Sequence, residues 1–185
     1  MTQDRKPATT RPDSPSTPWT DLDEAGSGLT VDNFLTTMLS QLVTALRHSV
    51  TLPYAEQFSL TVPEWRLLAL LAHTGPISFS ELVRLSTSDK ALVSRALRML
   101  EGRELVTLEA EGNTPRKKLN CTITQQGLDL HARIMPIARR EQAAVLRLLE
   151  PAEREALYLA LRKLHSRCVV GEDEGAGKAL LPGEQ

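Results

Sequence analysis

Aromatic residues make up only 4% of the 185 residues. So few rings cannot fill a core, and the 41% apolar content must pack largely as Leu, Val and Ala, which suits helices. Cysteine is nearly absent. Cys121 and Cys168 are too few and too far apart for a disulfide framework, which predicts a protein of a reducing compartment. No apolar run approaches the ~20 residues that span a bilayer. The N-terminus is polar and Pro-rich, without the apolar stretch of a secretory signal. Net charge is −1, so the cation excess of many nucleic-acid binders is missing from the total. Also missing are a Walker-type phosphate loop, HExxH and GxSxG. The four histidines, His48, His73, His131 and His165, have no metal-ligand spacing to the cysteines. The expectation is a soluble, cytoplasmic protein with no enzyme activity, no cofactor, no metal and no membrane partner.

What is present is a strong helical pattern with local charge. Many acids sit in the tails, and between Arg84 and Lys118 eight Lys/Arg face five Asp/Glu. Local charge is what meets a phosphate. Met1 to Gly28 is rich in Thr, Ser, Pro and Asp and is expected to be a disordered tail. Trp19 stands out there, as an anchor onto the folded part or onto a partner subunit. From Val31 to Val50 apolar residues recur at i, i+3, i+4 and i+7, which predicts a helix ended by Pro53. Thr61-Val62-Pro63-Glu64 is a capping box, with Leu60 and Trp65 at the staple positions, and the helix it opens stops at Gly75-Pro76. Ser78-Phe79-Ser80-Glu81 repeats the device, with Ile77 and Leu82 as the staple.

The short helix that follows reaches Leu85, and a polar turn leads into the stretch ending at Glu101. At about 100° per residue, Lys90, Ala91, Ser94, Arg95, Arg98 and Glu101 share one face of that helix. Leu92, Val93, Ala96, Leu97, Met99 and Leu100 share the other. Two helices joined by a short turn, the second polar on its outer face, form the helix-turn-helix pattern. Leu105–Ala110 and Lys118–Thr124 read as strands around a turn-rich tip that leaves through Arg116, Lys117 and Lys118, so a hairpin wing follows. Thr124 caps a long helical tract that Pro136 kinks or breaks and Glu150-Pro151 divides. Leu128, Ile134, Ile137, Ala138, Val145, Leu146, Leu149, Leu157, Leu161 and Leu164 there, with the first helix, are candidates for a subunit interface.

The predicted class is mainly α with a small β-wing, a winged helix-turn-helix plus a helical dimerisation domain. The expected divisions are a tail (1–28), a dimerisation helix (29–55), the winged helix-turn-helix (56–124), dimerisation helices (125–170) and a loose tail (171–185).

The combination LTVPEWRLLALLAHTGPISFSELVRLSTSDKALVSRALRMLEGRELV, then PRKK, then ITQQG resembles the MarR family of bacterial transcriptional regulators over roughly Val31 to Cys168. Within it the sequence looks most like regulators of aromatic or pyridine-acid (nicotinate-type) degradation. Two positions depart from the family pattern. Glu104 stands where a Gly precedes Leu105-Val106, with Gly102 two residues earlier, so the turn out of the second helix is expected to differ. The wing Asp is missing near Thr114, so Arg116 lacks its usual orienting partner.

The resemblance implies a homodimer whose two recognition helices enter successive major grooves of a palindromic double-stranded operator, by default as a repressor. Lys90, Ala91, Ser94, Arg95 and Arg98 are then the groove-side residues, with Lys90 or Arg95 on guanine or on phosphate. Arg116, Lys117 and Lys118 are the wing cations, and Ser86 and Ser88 are caps or phosphate contacts. The family commonly binds small aromatic acids. Arg47, His48, Tyr54, Trp65 and His73 are the available pieces for such an effector, although the staple position of Trp65 favours a core role. Alternatives are redox control through Cys121 or Cys168 and a winged helix that binds protein instead of DNA.

Overall fold

The computed structural model describes residues 17–111 and 118–169, with the side chains of Glu111, Lys118 and Val169 outside that description. The chain divides into two compact units, Met1–Ser49 and Val50–Gln185.

In the first unit, residues 17–28, expected to be without order, form successive turns. Thr20 N–H donates to Thr17 O (3.0 Å), Gly26 N–H to Asp23 O (3.1 Å) and Leu29 N–H to Gly26 O (2.9 Å). Asp23 Oδ1 accepts from the Ser27 N–H at 2.8 Å, which lowers the carboxyl pKa below its ordinary value. Trp19 is the anchor of this arm: its Nε1 donates to Asn33 O at 2.8 Å. A single 3-10 turn, Val31–Asn33, leads into α1, Leu35–Leu46. No residue of α1 is buried, and Phe34, Leu35, Met38, Leu42 and Val43 lie exposed.

The helical path does not stop at Pro53. A π-turn, Arg47–Thr51, precedes α2, Leu52–Glu56, and places Pro53 in the first turn of α2. A proline lacks an N–H and its ring crowds the carbonyl four residues back. The wider π-turn just before it removes the need for that hydrogen bond.

The second unit is built on α3, Val62–Thr74, opened by the expected capping box: Glu64 Oε2 accepts from Thr61 N–H (2.8 Å) and Thr61 Oγ1 from Glu64 N–H (3.4 Å). The staple residues Leu60 and Trp65 are both buried. Leu67, Leu68 and Leu71 of α3 meet Leu82 of α4, Phe79–Ser86, and Val93, Leu97 and Leu100 of α5, Lys90–Gly102. Each such burial stabilises by about 1.5–3 kcal/mol.

A short strand not foreseen in the sequence, β1 (Ile77–Ser78), joins the wing strands β2 (Val106–Glu111) and β3 (Lys118–Ile123) in an antiparallel sheet ordered β1-β3-β2. Cys121 sits in its central strand, opposite both Ile77 and Leu108. Because Ser78 belongs to β1, the second capping box is only half made. Ser78 Oγ accepts from Glu81 N–H at 3.2 Å, while Glu81 turns to Arg84 at 3.6 Å.

Thr124 caps α6, Gln125–Leu146, which continues through Pro136, and Pro151 begins α7, Pro151–Val169. Ile134 and Ala138 are buried core residues of this unit rather than free interface surface. Leu128, Leu146, Leu157, Leu161 and Leu164 stay exposed. Among the described residues, no helix is long and apolar enough to cross a membrane.

Candidate nucleic-acid interface

Two local devices set the helix-turn-helix. α4 ends on Thr87, whose φ of 50° turns the chain sharply. Asp89 then caps α5, its Oδ1 accepting from Leu92 N–H at 2.8 Å. With Val93, Ala96, Leu97 and Leu100 buried, the opposite face of α5 is fixed outward. Lys90, Ala91, Arg95 and Arg98 are exposed on that face and Ser94 is half-buried. Lys90 and Arg98 are separated by about 12 Å along the axis, at 1.5 Å per residue. A helix of this width fits a major groove about 12 Å wide. The Nζ of Lys90 lies 6.0 Å from the centre of the Phe79 ring, which orients it toward the start of α4. Met99, expected on the packed face, is 58% exposed, since at about 100° per residue it lies outside the arc that Val93, Ala96, Leu97 and Leu100 occupy.

The serines of the turn are structural. Ser86 is buried at 1% exposure and its Oγ donates to Val83 O at 2.9 Å, so it does not reach a phosphate. Ser88 is half-buried and its Oγ donates to Ser86 O at 3.2 Å. Arg116 and Lys117 lie outside the described residues, and Lys118 is placed only by its backbone, paired with Glu111.

Arg66 and Arg103 are residues of this region that sequence reasoning missed. Arg66 of α3 donates through Nη2 to Ser86 O (3.0 Å) and to Thr87 Oγ1 (3.4 Å). Arg103, just past α5, donates through Nη1 to Ser59 O (2.6 Å) and through Nη2 to Phe58 O (3.2 Å). Their partners lie 20 to 45 positions away in the chain, beyond any periodicity or capping signal.

The turn that follows α5 keeps a regular form despite Glu104. Leu105 N–H donates to Leu100 O (3.0 Å) and Glu104 N–H to Glu101 O (2.8 Å), the two bonds of a Schellman motif. Glu104 occupies the left-handed position at φ 57° that a glycine usually fills, and Gly102 does not take over that task. The expected change of turn geometry is therefore replaced by local strain in a retained geometry. The carbonyl of Glu104 accepts from Thr124 Oγ1 at 2.7 Å, and that of Arg103 from Gln126 Nε2 at 3.3 Å.

Of the residues proposed to meet an effector, Tyr54 and Trp65 are buried against each other. Trp65 Nε1 donates to Tyr54 Oη at 2.9 Å and the rings meet edge to face at 5.8 Å. His131 of α6 stacks on the indole at 5.7 Å. Burial, with repulsion from Arg139, holds its pKa below the ordinary 6.5. His73 is exposed in the last turn of α3, about 12 Å along the helix from Trp65. Arg47 and His48 are exposed in the first unit. A cavity of about 10 Å³ beside Arg66, Ser86 and Leu92 has room for a single water, not an aromatic acid. Cys121 is fully buried, and burial together with the charge of Glu101 pushes its thiol pKa up to about 11, so it is not a thiolate. Cys168 is exposed.

Residues 60–111, which hold the whole helix-turn-helix and β2, match the MarR family. The transcriptional repressor NicR of Pseudomonas putida is 30% identical over 118 residues, 64% of this chain and 71% of NicR. The chain belongs to the MarR family. Its architecture agrees with solved MarR structures. BpsR of Bordetella bronchiseptica, whose DNA binding is regulated by 6-hydroxynicotinic acid, is 26% identical, with a TM-score of 0.55 over 68% of this chain and 98% of BpsR. The MarR family protein RV2887 of Mycobacterium tuberculosis, solved with salicylic acid, is 27% identical, with a TM-score of 0.59 over 74% of this chain and 99% of that protein. As a MarR protein the chain is a transcriptional regulator.

Proposed function

We propose that this regulator is a homodimeric repressor that reads an inverted-repeat operator with α5 and is released by a small aromatic or pyridine carboxylate. The observation that carries the DNA-binding part is the sorting of α5: four residues of one face locked in the core, and Lys90, Arg95 and Arg98 exposed on the other. Arg95 is suited to a bidentate contact with guanine and Lys90 to a phosphate or base edge near the start of the helix. Arg116, Lys117 and Lys118 add the wing contacts.

Dimerisation is supported by exposed apolar side chains on α1 and, in the second unit, on α6 and α7. Leu157, Leu161 and Leu164 follow one helical stripe of α7 with 39–42% of their surface open. Such stripes are uncommon on a monomer and typical of an obligate interface. Two copies present two recognition helices, which requires a two-fold-symmetric site.

The effector class is supported by BpsR, regulated by 6-hydroxynicotinic acid, and by RV2887, which binds salicylic acid. Since Tyr54 and Trp65 are buried against each other, a carboxylate contact falls to Arg47, His48 or His73, and Arg47 carries the permanent charge. Release then works by favouring a spacing of the recognition helices that no longer fits the operator.

The decisive experiment enriches duplexes from a random-sequence library on the full chain and measures affinity against salt. A steep fall with rising salt, through counterion release, is expected. Arg95→Ala and Lys90→Ala should each lose specific binding while remaining dimeric. Wild-type affinity in both would remove α5 as the DNA contact, and salt-insensitive binding to a protein partner would favour the protein-binding alternative. For the effector, 6-hydroxynicotinic acid at millimolar concentration should raise the melting temperature and weaken DNA binding. No change in either quantity with that acid or with salicylate would refute the effector class.

A further inference from the structure

Among the described residues, three that are not glycine have a left-handed backbone: Ser59 (φ 55°), Thr87 (φ 50°) and Glu104 (φ 57°). Such conformations are strained and persist only where the surroundings hold them. Here they are not scattered. Thr87 leads into α5 and Glu104 leads out of it. Ser59 is the matching residue at the end of α2, where Leu60 N–H donates to Ala55 O (3.0 Å) and Ser59 N–H to Glu56 O (2.9 Å). That is the same Schellman pattern seen after α5, again with a side chain in the position glycine prefers.

Each of these turns is held by an arginine. Arg66 reaches from α3 to Ser86 O and Thr87 Oγ1, at the near end of α5. Arg103 reaches from the far end of α5 to the carbonyls of Phe58 and Ser59, tying one strained turn to the other. A guanidinium can bond two acceptors at once in a fixed plane, which an ammonium cannot. The ring of Phe58 is itself covered by Arg133 of α6, 5.5 Å from its centre. Thr124 and Gln126, at the start of α6, hold the remaining carbonyls of the α5 exit turn.

We infer that Arg66 and Arg103 are positioning residues for DNA reading, a pair of braces that fix the two ends of α5 against α3 and the α2–α3 turn. The inference rests on α5 as the DNA-contacting helix and assigns to two residues outside its groove face the task of aiming that face. Neither brace touches a base. Arg103 also joins α5 to the turn after α2, a few residues from Tyr54 and Trp65, so a displacement of α2 is passed to the exit of α5 through two charge-assisted bonds. The pose of α5 is set from both ends, and removing one brace leaves the helix folded but free to tilt about the other.

The test uses the full chain with Arg66→Ala, Arg103→Ala, and Arg103→Ala combined with Glu104→Gly; Arg103→Lys, which keeps the charge but not the fork, replaces the alanine variant if that does not fold. The probe is a duplex enriched from a random library by the wild-type protein, and the readout is the ratio of its affinity to that of a scrambled duplex at fixed salt. Each single variant should lower that ratio about tenfold, the effect of losing a charged hydrogen bond. Glu104→Gly, which takes the strain out of the exit turn, should return the Arg103→Ala ratio to within about twofold of wild type. Amide exchange should accelerate at 87–93 in the Arg66 variant and at 99–105 in the Arg103 variant, with no change at Leu67–Leu71. A lowered melting temperature with an unchanged affinity ratio would overturn the inference, because the arginines would then serve stability alone. So would unchanged exchange at both ends of α5, a result obtained without DNA. Failure of the wild-type protein to enrich any duplex refutes the DNA-reading role instead, and exchange still decides whether the braces exist.

Discussion

Gly127 offers a test of how tightly the wing base and the α6 start are fitted together. A Cβ at this position would cut into the carbonyl oxygen of Leu105 and stand 2.7 Å from Ile123 Cγ1. The first obstacle is backbone and cannot rotate away. That carbonyl also accepts the Thr124 N–H at 3.1 Å, while Thr124 Oγ1 accepts from Gly127 N–H at 3.0 Å. Gly127→Ala must therefore push α6 away from the exit turn of α5 or give up the Thr124 bond. Overpacking costs about 1–3 kcal/mol, and the lost bond about 1 kcal/mol more. The better helix propensity of alanine returns about 1 kcal/mol. The net loss is about 2 kcal/mol, which lowers the melting temperature by about 4–8 °C in a chain of this length. The assay is thermal unfolding followed by circular dichroism at one fixed protein concentration, because an oligomer's melting temperature depends on it. Gly102→Ala is the internal control. A Cβ there meets nothing within 4 Å, so the same chemical change should stabilise by about 0.5–1 kcal/mol. Equal melting temperatures for the two variants would refute the reasoning and show that the junction yields to a methyl group.

Glu104→Gly should raise stability by about 0.5–1 kcal/mol, because relief of the left-handed strain outweighs the greater freedom of glycine in the unfolded chain; a loss of stability would mean that the Glu104 side chain contributes more than its backbone costs. The lowered pKa of His131 makes protonation harder in the folded state than in the unfolded one. Its stabilisation is thus complete above about pH 6.5 and lost as pH falls through the depressed folded value, and His131→Phe, which keeps the stack on Trp65, should flatten urea-unfolding stability over that acid range. Tyr54→Phe removes the acceptor of the Trp65 indole N–H and should cost about 1–3 kcal/mol in chemical denaturation; a neutral result would show that water reaches the indole. In the native protein a thiol reagent should modify Cys168 and spare Cys121, and labelling of both without denaturant would contradict the burial of the β3 thiol.

Local chemistry explains why parts of this fold are readable in advance. Thr61 and Glu64 bond reciprocally within one turn, Thr124 caps the helix it precedes, and Val93, Ala96, Leu97 and Leu100 pack where the helical period puts them. Each is decided by residues three or four apart, which is the range over which sequence pattern carries information. The misjudged features depend on partners far along the chain. Ile77 and Ser78 become a strand because Cys121 and Asn120 lie alongside, and Ser86 is buried because α3 covers it. Pro53 fails to stop the helix because a π-turn, which has no sequence signature, precedes it. The most instructive case is Glu104. The missing glycine was visible in the sequence, and a changed turn was its natural consequence. The turn stays because bonds from Thr124 and Gln126, with Arg103 anchored on the Phe58 and Ser59 carbonyls, impose it from outside. A local rule has been overridden by tertiary contacts at the exit of α5, and such conflicts between levels are expected where function, rather than stability, dictates the geometry.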